Sequence, residues 1–223
     1  MNNIPDLDGP EFGPATGGAP EQLVIFLHGY GADGNDLIGL AHHFADLMPG
    51  AKFVAPNAPH RCEGAMFGYQ WFPLAERTEQ EMLAGARHAQ PVIDMFIDHR
   101  LRVTNLREKN LALIGFSQGT MVSLFNGLRR EGQMAGILGY SGRLVGAEVL
   151  AAEIRVRPPV VLINGDGDEL IPGNEQPKAV AALEGVGVPV VGHIRPGLGH
   201  SIDEVGVEIG RQFLACIFGL KIP

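Results

Sequence analysis

Residues 111–121 read LALIGFSQGTM: an apolar run, then Gly115-Phe116-Ser117-Gln118-Gly119, then apolar positions again. A serine flanked by two glycines, where a buried strand hands over to a helix, has the spacing G-x-S-x-G of a nucleophile elbow. Such a turn pushes the hydroxyl clear of the sheet and is too tight for bulky neighbours, which Gly115 and Gly119 would satisfy. The following helix would point its N-terminal amides at charge developing beside Ser117, with the amide of Gln118 as first oxyanion donor. On the plainer alternative, the glycines only allow close packing and Ser117 is an N-cap.

The surrounding sequence places this turn in an α/β architecture. QLVIFLH (22–28), KFVAP (52–56), GILGYS (136–141), PVVLING (159–165) and VPVVGHI (188–194) are further short apolar runs, separated by segments that read as helices. That order predicts a mostly parallel sheet covered on both faces. Capping-box patterns at Thr78-Glu79-Gln80-Glu81 and Ser201-Ile202-Asp203-Glu204 mark two helix starts. Pro91 interrupts the pattern from Met82 to Arg102 and predicts two helices or one kinked helix. Residues 1–20, rich in Pro, Gly and acids, read as a loosely ordered arm ahead of one domain over 21–223.

Bulk properties exclude several classes. A net charge of -8 without a basic cluster argues against nucleic acid or an anionic membrane as partner. No apolar run is long enough to span a bilayer, and the N-terminus lacks the pattern of a signal peptide. Two distant cysteines, Cys62 and Cys216, suggest reduced thiols and a cytoplasmic location.

A serine hydroxyl needs a base, and the base needs a third group to fix its tautomer. VVLINGDGDELIP ends a predicted strand in Asp166 and Asp168, and RPGLGHSIDE places His200 in a loop ahead of a helix. The order Ser117, then Asp166 or Asp168, then His200 is that of an α/β-hydrolase triad. In open α/β sheets such groups gather at the carboxyl ends of the strands. The turn HGYGADGND (28–36) could supply a second oxyanion donor, the amide of Tyr30; its plainer reading is a turn with Asp36 near a helix start. His28 reads as structural. Asn164-x-Asp166-x-Asp168 with Glu175 imitates an EF-hand spacing, but Glu169 stands where the loop needs glycine and a strand precedes it, so no metal is expected.

FLHGYGADGNDL, APNAP, YQWFP, GFSQGT, GYSGRL and PGLGHSID, in this order from about Gln22 to Phe213, resemble the phospholipase/carboxylesterase family of serine hydrolases, which includes acyl-protein thioesterases. The resemblance implies the α/β-hydrolase fold, Ser117 as nucleophile, His200 as base and Asp168 rather than Asp166 as acid, and a chain of 223 residues has little room for a large cap domain. It also implies an oxyanion hole from the Tyr30 and Gln118 amides, and no cofactor. Two positions depart from the family pattern: Asn164 replaces a usual histidine, and Thr120 a usual glycine beside the elbow.

The expected substrate is a small-molecule or lipid-like acyl ester or thioester. Met66, Phe67, Trp71 and Phe72 form the densest aromatic cluster and are expected to line an apolar acyl pocket, with a core or homodimer patch as the alternative. Activity should rise as the pH passes the range in which an imidazole loses its proton, about 6 to 7. The competing classes are a catalytically silent hydrolase-fold binding protein and an acyltransferase using the same triad.

Overall fold

The apolar runs at 22–27, 111–116, 136–140 and 160–165 become strands because both faces of the sheet are covered there, whereas the run at 190–195 forms a half-exposed edge strand. The structure, a computed structural model, describes residues 7–221. Its elements run β1 (Glu11–Phe12), β2 (Gln22–Leu27), α1 (Gly34–Ile38), α2 (Ala41–Phe44), β3 (Ala51–Val54), β4 (His60–Arg61), β5 (Tyr69–Gln70) and α3 (Glu79–Thr104). A short 3-10 turn at Glu108–Asn110 precedes β6 (Leu111–Phe116), α4 (Gln118–Gly127), β7 (Gly136–Tyr140), α5 (Ala147–Glu153), β8 (Val160–Gly165), α6 (Glu175–Gly185), β9 (Val190–Arg195) and α7 (Glu204–Phe218).

Seven strands form one sheet in the order β1-β3-β2-β6-β7-β8-β9, parallel throughout except for β1 against β3. Along β2, Leu23, Ile25 and Leu27 face a core shared with α3, α4, α5 and α6, while Val24 and Phe26 face a second core shared with α1, α2 and α7. All five are essentially buried. Burial of each such side chain is worth about 1.5–3 kcal/mol, and no position along the strand gains by being polar. The run is therefore continuous rather than alternating.

Three local expectations are refined. α3 is a single helix that passes through Pro91; its buried stripe of Met82, Ala86, Ala89, Ile93 and Ile97 packs into the core and offsets the hydrogen bond that Pro91 cannot donate. At its start Thr78 accepts from the Glu81 amide at 3.2 Å, but the Glu81 carboxylate reaches back beyond the cap to the amides of Ala75, Glu76 and Arg77. α7 begins later than the Ser201 pattern predicts: its cap is Asp203, whose Oδ1 accepts from the Gly206 amide at 2.7 Å while Arg195 holds the same carboxylate. A charged cap at a helix N-terminus prevails over a serine two residues earlier.

Of the expected N-terminal arm, residues 1–6 lie outside the described residues. From Leu7 onward the chain runs beside β3, and Glu11 forms ion pairs with Lys52 at 2.7 Å and Arg100 at 2.5 Å. Among the described residues no helix is long and apolar enough to cross a membrane.

Candidate active site

Ser117 is the one residue between β6 and α4, and its backbone is held at φ 54°, ψ -117°. A non-glycine residue there stores about 1–3 kcal/mol of strain, which persists only if the surroundings fix it. They do. The Ser117 amide donates to Tyr140 O at 2.9 Å, and its carbonyl accepts from Thr120 at 3.0 Å. A Cβ on Gly115 would stand 2.4 Å from the Thr120 nitrogen, and one on Gly119 only 1.7 Å from the Leu27 carbonyl oxygen. Both glycines are thus required by the close approach of α4 to β2 and β6.

The acid and base come from the ends of the neighbouring strands β8 and β9. Asp168 Oδ2 lies 2.7 Å from His200 Nδ1, with the Asp168 side chain wholly buried and that of His200 mostly so. The other carboxylate oxygen accepts from the amides of Leu170 at 2.8 Å and Ile171 at 2.9 Å. A buried carboxylate with every oxygen engaged is held in one orientation and in turn fixes the imidazole, leaving Nε2 free for another partner. Asp166 acts on the backbone instead. Its Oδ1 accepts from the Gly197 amide at 2.6 Å, tying the loop that carries His200 to the loop that carries Asp168. The Gly167 amide, donating to Leu198 O at 3.1 Å, makes a second tie.

Ser117 and His200 share the wall of a cavity of about 220 Å³. Its apolar surface comes from Leu74, Met82, Phe116, Met121, Leu170 and Ile171, and its polar groups include Arg77 and Arg143. A larger cleft of about 830 Å³ lies between α3, α4 and α5, but it is lined by ion pairs such as Arg129 with Glu153 and Arg130 with Asp94, and no nucleophile faces it.

Tyr30 and Gly29 also line the smaller cavity. Among the described residues the Tyr30 amide meets no hydrogen-bond acceptor, and Gln118, as the first residue of α4, has no intrahelical acceptor for its own. The loop bearing Tyr30 runs directly into α1, where Asp33 and Asp36 form a capping box, so both readings of the HGYGADGND turn apply to one segment.

The aromatic stretch is placed otherwise than expected. Trp71 and Phe72 are fully buried in the core, Met66 and Phe67 are largely exposed, and none of the four lines the cavity. This segment braces the site from behind. Gly31 donates to Tyr69 O at 2.9 Å, and Trp71 Nε1 donates to His28 O at 2.9 Å. The Tyr30 hydroxyl accepts from the Gly64 amide at 3.1 Å. His28 is structural: Nε2 accepts from the Ala58 amide at 3.0 Å, which leaves Nδ1 to donate to Gly29 O at 2.7 Å, and burial pushes its pKa down.

Sequence reasoning missed the actual wall. Leu170 and Ile171 were detectable as an apolar pair directly after the acid in a polar turn; nothing local marks Met82, Met121 or Leu74. The two departures from the family pattern are both structural. Asn164 Nδ2 donates to Gly142 O at 3.0 Å, and Thr120 Oγ1 donates to Tyr140 O at 2.8 Å, with Thr120 buried and absent from the cavity wall. Of the EF-hand-like set, Glu175 pairs with Arg143 and Lys178, and among the described residues no group of three His, Cys, Asp or Glu stands close enough to hold a metal.

A doubly covered parallel sheet, with a strained serine after one central strand and an acid–histidine pair at the ends of two others, defines an α/β-hydrolase. The chain belongs to the phospholipase/carboxylesterase family, whose model matches residues 15–218, and is an enzyme of the carboxylic ester hydrolase class. It is similar to esterase PE8, whose crystal structure superposes with a TM-score of 0.91 at 44% identity over 95% of this chain and 99% of that one. It is 26% identical to acyl-protein thioesterase 1 of Gibberella zeae over 85% of this chain and 89% of that protein. A rice relative described as a probable inactive carboxylesterase is also 26% identical, over 90% of this chain and 87% of that protein.

Proposed function

We propose that the enzyme hydrolyses carboxylic esters or thioesters through an acyl-enzyme on Ser117. His200 Nε2 takes the serine proton as Oγ attacks the carbonyl, and Asp168 holds the imidazole through Nδ1 and offsets the charge it acquires. The amides of Tyr30 and Gln118 receive the oxyanion. Collapse of the tetrahedral adduct expels the alcohol or thiol with the proton from His200. Water then attacks the acyl-serine with His200 again as base, returning the acid and the free hydroxyl.

The observation that carries this reading is the 2.7 Å Asp168–His200 contact beside the cavity that Ser117 enters from its strained turn. The cavity, about 220 Å³ and mostly apolar, suits short acyl chains. No cofactor has a role in the scheme. Two unpaired thiols, Cys62 and Cys216, support a cytoplasmic location.

The test is reaction of the purified protein with a fluorophosphonate, followed by intact mass. One adduct on the wild type and none on Ser117→Ala is the expected result. Folded wild-type protein that stays unmodified would transfer the case to a silent binding protein.

A further inference from the structure

Among the described residues, one cation lining the substrate cavity has no carboxylate partner. Arg143 also lines the cavity, but its guanidinium is paired with Glu79 and, at 2.6 Å, with Glu175. Arg77 lines the same space, is exposed, and makes no ion pair among the described residues, the neighbouring Glu76 included.

The backbone around Arg77 is arranged for it. The residue sits at φ 54°, a conformation that favours glycine or asparagine, yet arginine occupies it. Three successive amides, of Ala75, Glu76 and Arg77, converge on the Glu81 carboxylate at 3.0, 2.9 and 2.6 Å. Glu81 belongs to the first turn of α3, and Met82, the next residue, is in the cavity wall. This clamp fixes the left-handed turn against the helix, and Arg77 lines the cavity from that turn. An unpaired guanidinium bordering a surface of Leu74, Met82, Leu170 and Ile171 is a poor neighbour for a purely hydrocarbon ligand and a good one for a ligand apolar along its length and anionic at one end.

We propose that the cavity takes esters that carry a carboxylate, and that Arg77 is the specificity-determining residue that receives it. The inference rests on the hydrolase reading above and adds the substrate class. The planar fork of the guanidinium matches a carboxylate by two parallel hydrogen bonds. A cavity of about 220 Å³ limits the ester to a short one, such as the half-ester of a small dicarboxylic acid.

The test compares kcat/KM for two matched pairs. Monoethyl succinate against ethyl 4-methylpentanoate places the carboxylate on the acyl side, its counterpart carrying an isopropyl group instead. 3-Acetoxypropionate against isopentyl acetate places it on the alcohol side. In at least one pair, the ratio of anionic to neutral substrate should fall about tenfold in Arg77→Gln, the size expected for one charge-assisted contact, and recover in part in Arg77→Lys. The responding pair identifies the side on which the carboxylate lies. Ratios that Arg77→Gln leaves unchanged in both pairs overturn the proposal. Wild-type protein that hydrolyses none of the four esters counts against the hydrolase reading itself, a separate outcome from unchanged ratios.

Discussion

The Gln118 side chain clamps Trp71: its Oε1 accepts from the Trp71 amide at 3.0 Å, while its Nε2 donates to the carbonyl of the next residue, Phe72, at 2.8 Å. The residue after the serine thus braces Trp71 through its carboxamide, separately from the oxyanion role proposed for its amide. Gln118→Ala keeps the amide and strands two buried backbone groups, each costing about 1–3 kcal/mol. The expected result is a loss of about 2–4 kcal/mol in urea unfolding, with residual hydrolysis in the fraction that stays folded.

The two aspartates of the INGDGDE segment should separate cleanly. Asp168→Asn removes the charge facing the imidazolium and favours the wrong tautomer, and kcat should fall by about three to four orders of magnitude. Asp166→Asn keeps an oxygen for the Gly197 amide and should cost less than about tenfold, the range of one weakened hydrogen bond. Steady-state assays of both variants on one ester decide it; a larger loss in Asp166→Asn than in Asp168→Asn would mean the assignment is reversed.

Gly119→Ala places a methyl group where a backbone carbonyl already stands. Neither α4 nor β2 can retreat without unpacking the elbow, so destabilisation above about 3 kcal/mol is expected, seen as a lowered Tm or loss of soluble protein. Gly18→Ala is the control, since nothing lies within 4 Å of the added carbon.

Thr120→Gly restores the residue usual in the family. It removes a hydrogen bond to Tyr140 O and the methyl group packed over Gly139 and Gly142. Together with the helix penalty of glycine this should cost about 2–3 kcal/mol. Acyl-chain preference should stay as it is, because Thr120 does not reach the cavity. Met121→Ala, in the wall, should shift that preference toward longer chains; a shift in Thr120→Gly instead would contradict the described wall.

His28 makes stability depend on pH in a defined direction. Burial lowers its folded pKa below the ordinary value of 6.5, so the unfolded chain takes up the proton first. Its contribution is complete above about 6.5 and declines as the pH falls from there toward the folded value, with a slope of at most about 1.4 kcal/mol per pH unit. Chemical denaturation from pH 7.5 to 5 should show a shallower acid decline in His28→Gln than in the wild type.

The strands and the elbow were readable because their causes are local. Burial on both faces writes a continuous apolar run, and a turn as tight as that at Ser117 demands glycines at 115 and 119. The choice between Asp166 and Asp168 was not readable from the residues alone, since both follow β8 and both meet the His200 loop, one at the Gly197 amide and the other at the imidazole. The cavity wall was obscured for a related reason: Leu74, Met82, Met121 and Ile171 come from four separate segments, and an apolar residue facing substrate looks the same in sequence as one facing the core. Trp71 illustrates the converse, an aromatic placed beside the site for bracing. At α7 the Ser201 pattern was genuine chemistry outcompeted by Asp203, whose charge is further fixed by Arg195.

Asp166 with Gly197, and Gly167 with Leu198, join the acid loop to the base loop across adjacent strands. The consequence is a division of labour along the chain. The acid, the base and both backbone ties between their loops lie in one continuous stretch, from Val160 to Asp203. Against it the Phe116 ring packs on His200 and Ser141 Oγ donates to Ser201 O at 3.1 Å; the serine and the amides beside it come from earlier segments. The proposed centre therefore joins two stretches of chain, and exchanging the later one for that of a homologous enzyme would move acid and base together.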